Sequence, residues 1–99
     1  MLRHVVMFKW AHDVDDAHVA AVAAGLDSLV DVIPEIRAYR HGPDVRINPD
    51  SFDYVVVGDF DSADDYVTYR DHPTHQQFIR ELIVGRITDR AAVQYELAD

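Results

Sequence analysis

Cysteine is absent from the 99 residues. That removes disulfides, thiolate nucleophiles and cysteine–zinc sites together. No apolar run reaches the roughly eighteen residues of a membrane-spanning helix. Basic residues are scarce: nine Lys plus Arg against eighteen Asp plus Glu, a formal net charge of −9. The imbalance is spread, with eight acidic and five basic residues in 1–50 and ten and four in 51–99. No basic face is available for nucleic acid, and an acidic surface repels anionic lipid. The opening MLRHVVMFKW carries charges inside its apolar stretch, and no small-residue cleavage site follows, so it does not read as a signal peptide. With the missing cysteine, this fits a cytoplasmic protein. No linker, repeat or low-complexity segment interrupts the chain, which reads as one domain over 1–99. A hydrophobic content of 48% beside 27% charged residues is ordinary for a globular domain.

What remains is a set of periodic segments. Residues 2–10 alternate, with Leu2, His4, Val6, Phe8 and Trp10 on one face and Arg3, Val5, Met7 and Lys9 on the other. Asp15 is placed as a helix N-cap, with Val14 and Val19 across it as a staple. Helical spacing then runs from Val19 to Ile33, and Pro34 stops it. Gly25 inside this helix costs about 1 kcal/mol against alanine, which close packing on the sheet would explain. Residues 35–47 predict a second strand, bent or at an edge because of Gly42-Pro43. Asn48-Pro49-Asp50 is a turn, and 52–60 predict a third strand, again with large apolar groups on both faces. Ser62 and Asp65 form a capping-box-like start to a short helix. Asp71-His72-Pro73 breaks it, Pro73 opens a second helical piece, and Gly85 closes that piece. Residues 86–97 end in a strand from about Ala91.

The order is β-α-β-β-α-β with the second helix split. This is an α+β, ferredoxin-like pattern: a four-stranded antiparallel sheet with helices on one face. The other face carries Val5, Met7, Val55 and Val57, an apolar patch unusual on a monomer. The expected partner is a second copy of the chain, sheet face to sheet face.

The richest stretch is Tyr66–Leu82, YVTYRDHPTHQQFIREL. His75, Phe78, Ile79, Leu82 and Ile83 share one helical face, so His75 points inward. Its nitrogens need partners, and the Tyr69 hydroxyl is one candidate. Two readings stay open: a general acid/base at the wall of an apolar pocket, or a core histidine that holds the Pro73 turn. His72 is placed to cap the helix that follows. His12, His18 and His41 are expected at the surface without a role. Asp13, Asp15 and Asp16, like Asp61, Asp64 and Asp65, are read as helix-capping groups rather than metal ligands. Tyr54, Phe60, Trp10 and Phe8 read as core.

Four segments, RHVVMFKW, VIPEI, YVVVGDFDS and above all YRDHPTHQQF, resemble the stress-responsive A/B barrel family, also called Dabb, over nearly the whole length. The resemblance implies a homodimeric α/β barrel. The Tyr/His-Pro-x-His region is similar to the family's olivetolic acid cyclase branch, which closes polyketides by aldol chemistry without metal or cofactor. That likeness implies Tyr69 and His75 as a catalytic pair, His4 as a cavity residue, and Phe78 as a cavity wall. Tyr54 stands where that branch has a histidine. Substrate contacts are therefore expected from His4, Tyr54, Phe78, Val6 and Phe8. The ligand class is a small carbonyl or phenolic compound, with no cofactor and no metal. The rival expectation is a stress-associated binding or structural dimer. A third, by analogy with related dimeric barrels, is a cofactor-free monooxygenase or isomerase.

Overall fold

The computed structural model describes residues 1–98. The chain runs β1 (Leu2–Trp10), α1 (Asp16–Val32), β2 (Ala38–Pro43), β3 (Tyr54–Phe60), α2 (Ala63–Asp71), α3 (Pro73–Phe78), a π-helical turn (Ile79–Ile83) and β4 (Ile87–Glu96). The strands form one antiparallel sheet in the order β2-β3-β1-β4. Each β-α-β half is split by a strand of the other half, which is the ferredoxin-like arrangement the element order predicts. No helix among the described residues is long and apolar enough to cross a membrane.

The inner sheet face meets the helices. Leu2, His4, Val6 and Phe8 are buried along β1, and Tyr54, Val56 and Phe60 along β3. From α1, Val22, Leu26 and Leu29 descend onto this layer, followed by Ile33 just beyond the helix. Burying each such side chain contributes about 1.5–3 kcal/mol. Asp15 caps α1 as the sequence indicates, accepting from the His18 backbone N–H at 2.9 Å. Ser62 caps α2 through the Asp65 N–H at 3.1 Å.

On the outer face, cross-strand register lines up Val57, Val5 and Val93 in one row and Val55, Met7 and Ala91 in the next. Val5, Met7, Val55 and Val57 are half-buried in the single chain, and Val93 is 57% exposed. Beside them Arg3 and Asp59, directly opposed across β1 and β3, make a two-pronged ion pair at 2.8 and 2.9 Å.

Several boundaries differ from the sequence reading. The second strand covers only Ala38–Pro43 and the third begins at Tyr54. Between them the chain closes a loop through Asp44 N–H to the Asp53 carbonyl and through the Arg46–Asp53 ion pair, with Arg46 at φ 61°. The last strand starts at Ile87, not Ala91, because β1 is long enough to pair with all of it. The helix expected to run from Pro73 to Gly85 is α-helical only to Phe78 and then widens into the π turn. Gly85, at φ +78°, does close it.

Gly25 packs tightly, though not on the sheet. A Cβ there would stand 2.8 Å from two ring atoms of Phe78. The glycine lets α1 approach α3. Crowding a packed interface costs about 1–3 kcal/mol, more than the roughly 1 kcal/mol of helix propensity that alanine returns. Gly25→Ala should therefore lower the unfolding free energy by about 1 kcal/mol, measured as a lower urea midpoint. A stabilised variant would show that the Phe78 ring yields without cost.

Candidate active site

Between the inner sheet face and the helices lies a cavity of about 330 Å³. Phe8, Val6 and Val56 line it from the sheet, and Leu26, Phe78, Ile79, Ile83 and the exposed Val84 from the helices and the turn that follows them. The polar groups in this apolar shell are His4, Tyr39, Tyr66, Tyr69, Arg70, His75 and Arg90.

The turn at His72 places His75. Pro73 forces the residue before it out of helical geometry, and His72 adopts φ −60°, ψ 133°. Its N–H bonds the Tyr69 carbonyl and ends α2, while its ring Nδ1 accepts from the Thr74 N–H at 3.1 Å and starts α3. The capping role expected of His72 is thus present. Folded back over α2, the His75 ring lies 4.3 Å from the Tyr69 ring, centroid to centroid. Its Nδ1 is 2.9 Å from the Arg70 carbonyl. A carbonyl only accepts, so the neutral ring carries its proton on Nδ1 and keeps a lone pair on Nε2. Nε2 has no hydrogen-bond partner among the described residues. The partner of His75 is therefore a backbone carbonyl, not the Tyr69 hydroxyl the sequence offered.

The Tyr69 hydroxyl lies 2.6 Å from that of Tyr39 on β2. With Tyr39 as donor, the Tyr69 proton is left for a ligand. Both phenols are buried, and burial holds both in the protonated form. Tyr69 is pushed up to about 12, although the Tyr39 bond works in the other direction. Tyr39 is raised further by burial and by Tyr69. Burial also lowers the pKa of His75, assisted by His72 and Arg90, against the upward pull of the Arg70 carbonyl and of Asp71.

His4 is 4% exposed and shares the cavity, 4.9 Å from the Tyr66 ring and 6.1 Å from the Tyr69 ring. The Gln94 side-chain amide donates to its Nδ1 at 2.8 Å. The His4 proton accordingly sits on Nε2. Burial, then Arg90 and His75, lower its pKa to about 4. The cavity thus presents a neutral base, His75, beside two neutral donors, Tyr69 and His4.

Among the sequence-predicted residues, His4, Val6, Phe8, Tyr69, His75 and Phe78 come together around the cavity. Tyr54 does not. Its hydroxyl donates to His41 Nδ1 at 2.7 Å, and His41 Nε2 donates to Asp27 on α1 at 2.6 Å. His41 is consequently not a surface residue: its side chain is 10% exposed and ties β2, β3 and α1 together. His18, also expected at the surface, donates from Nε2 to the Leu82 carbonyl at 2.8 Å, a group that the π turn leaves open. His12 is exposed as expected. Sequence reading missed Tyr39 and Gln94. The inward phase of β2, Tyr39 then His41, was the available signal, but the polar residues obscure it.

The stress-responsive A/B barrel domain model matches residues 2–97. A solved dimeric ferredoxin-like protein of unknown function from Thermobifida fusca superposes with a TM-score of 0.90 at 34% identity, covering 97% of this chain and 90% of that one. A stress-response A/B barrel domain-containing protein of Arabidopsis thaliana is 24% identical over 96% of this chain, which spans 36% of that relative's length. A hydroxynitrile lyase from Passiflora edulis shares the fold, with a TM-score of 0.86 at 18% identity over 99% of this chain and 94% of that one. With the family match running across both β-α-β halves and every wall of the cavity, the chain belongs to the stress-responsive A/B barrel domain family.

Proposed function

We propose that the cavity takes a small carbonyl or phenolic compound and moves a proton at the carbon next to its carbonyl. One observation carries this reading. The Nδ1 of His75 is occupied by the Arg70 carbonyl, which leaves Nε2 as a free base on a ring 4.3 Å, centroid to centroid, from the Tyr69 ring in an apolar chamber. A volume of about 330 Å³ suits a single ring with a short side chain. In the proposed reaction, His75 takes the α-proton. Tyr69 then donates a hydrogen bond to the enolate oxygen, an interaction strengthened where water is excluded. Tyr39 steadies the Tyr69 oxygen, and His4 Nε2–H is a second donor for the ligand. The hydroxynitrile lyase of the same fold adds no residue to this reading, since that likeness is one of fold.

The active unit we propose is a homodimer formed through the outer sheet face. The Val57–Val5–Val93 and Val55–Met7–Ala91 rows make an apolar patch that a second copy would cover. Three solved structures of this fold are described as dimeric or as a dimeric protein.

Two experiments test these readings. Acetophenone in heavy water reports α-proton exchange by NMR. The wild-type chain should accelerate exchange above buffer, His75→Ala should return it to background, and Tyr69→Phe should slow it by about 10²-fold. Because the His75 pKa is lowered, its base form persists below the ordinary histidine range. The rate should stay flat through neutral pH and fall only at more acid pH, with Tyr69, at about 12, keeping the alkaline limb remote. A His75→Ala variant that exchanges at the wild-type rate would sink the assignment, and binding without exchange would point to the plain binding role. For the dimer, light scattering should give twice the chain mass for wild type and the single-chain mass for Val57→Asp. A wild-type monomer at micromolar concentration would overturn the interface.

A further inference from the structure

We infer that the ligand of this cavity is an anion: a carbonyl or phenolic compound bearing a carboxylate, which Arg90 holds at the mouth along β4. The inference rests on the reading of the cavity given above and narrows its substrate class.

The geometry begins with strand register. Arg90 is paired with Phe8, Ala92 with Val6, and Gln94 with His4. Directly opposed residues of an antiparallel pair project to the same side. Arg90, Ala92 and Gln94 therefore share the helix side of the sheet with the cavity floor. Yet all three are exposed, whereas Phe8, Val6 and His4 are buried. Among the described residues no helix packs over this part of the edge strand, so the chamber opens there, with Arg90 in its lining.

The charge around the mouth is uneven. Arg70, the other guanidinium in the lining, is held by Asp71 through two contacts of 2.9 and 3.1 Å. Arg90 makes no ion pair among the described residues. Asp89 accepts from the Arg90 backbone N–H, not from its side chain. Other cations also lack a carboxylate, but Arg90 is the one of them whose side chain reaches the cavity. In a chain of net charge −9, the overall field repels anions. A guanidinium left without a counter-ion at the opening reverses that locally, in a geometry suited to two-pronged carboxylate binding.

The same cation bears on the imidazoles. The facing groups are Arg90, Asp71, His72 and the Arg70 carbonyl around His75, and Arg90, His75, Gln94 and the Tyr66 and Tyr69 rings around His4. Arg90 disfavours the protonated form of both rings. A carboxylate docked on Arg90 cancels that influence and makes His75 a stronger base when, and only when, the ligand is in place.

The test compares 4-acetylbenzoate with its uncharged methyl ester, with binding followed by NMR of the His75 and His4 ring protons. Wild type should bind the acid more tightly than the ester, with the gap closing at high salt. Arg90→Met should weaken the acid about tenfold while leaving the ester within about twofold, and Arg90→Lys should restore part of the loss. In the ligand-free Arg90→Met protein, both ring titrations should move to higher pH. Equal binding of acid and ester by wild type, or equal weakening of both by Arg90→Met, overturns the anion inference and leaves the cavity reading standing. Binding of neither compound overturns both.

Discussion

The site depends on the hydrogen bond between His75 Nδ1 and the Arg70 carbonyl. It exists because Pro73 cannot follow a helical residue comfortably. The chain breaks at His72, whose backbone ends one helix and whose ring starts the next. Breaking there exposes the last carbonyls of α2, and the first turn of α3 swings back to meet one of them. One bond then does two things. It shares with the Gln76 side-chain amide, which donates to the same carbonyl at 2.6 Å, the task of satisfying a backbone acceptor at the end of α2, and it fixes the imidazole tautomer so that the lone pair is on the other nitrogen. The structural and the acid/base readings of His75 do not compete: the contact that steadies the turn is the contact that arms the ring.

Neutrality is the second constraint. Four groups facing the chamber, His4, His75, Tyr39 and Tyr69, are held uncharged near pH 7: the histidines lowered and the phenols raised, with burial the leading cause in each case. Uncharged donors and acceptors can share a small apolar space without the desolvation penalty that charges incur there. In the proposed reaction they would change little in charge until a proton moves, which is when stabilisation counts. The acidic groups of the chain serve elsewhere, as caps at Asp15 and in ion pairs at Asp59, Asp53, Asp61 and Asp71.

Elements whose two faces differ in chemistry could be read from the sequence. The alternation of β1 and the Val22, Leu26, Leu29 stripe of α1 report their partners directly, and the Pro73 break marks the turn that brings His75 to the cavity. Where polar residues face inward, the pattern fails. His41 looked like surface because it is polar, but it is sealed between Tyr54 and Asp27, groups thirteen and fourteen residues away along the chain. Tyr39 was passed over for the same reason. The start of β4 was missed because Asp89 and Arg90 carry no apolar phase, since no helix covers that edge. The π turn left no signature either: its residues keep helical spacing, and only the Val84 N–H to Ile79 carbonyl bond reveals the extra residue.

That uncovered edge is where fold and site meet. β4 serves three purposes from its two faces. Its outer residues Ala91 and Val93 extend the apolar rows of the sheet, Gln94 on the inner side sets the tautomer of His4, and Arg90 stands at the opening. A helix laid over β4 would bury Gln94 and Arg90 and shut the chamber. A fully apolar strand would leave His4 Nδ1 without its donor and free the His4 proton to sit on either nitrogen. The polarity that made β4 hard to read is therefore a requirement of the cavity: the strand must pair with β1 along its whole length to hold the sheet, yet remain wet on its inner side for anything to enter.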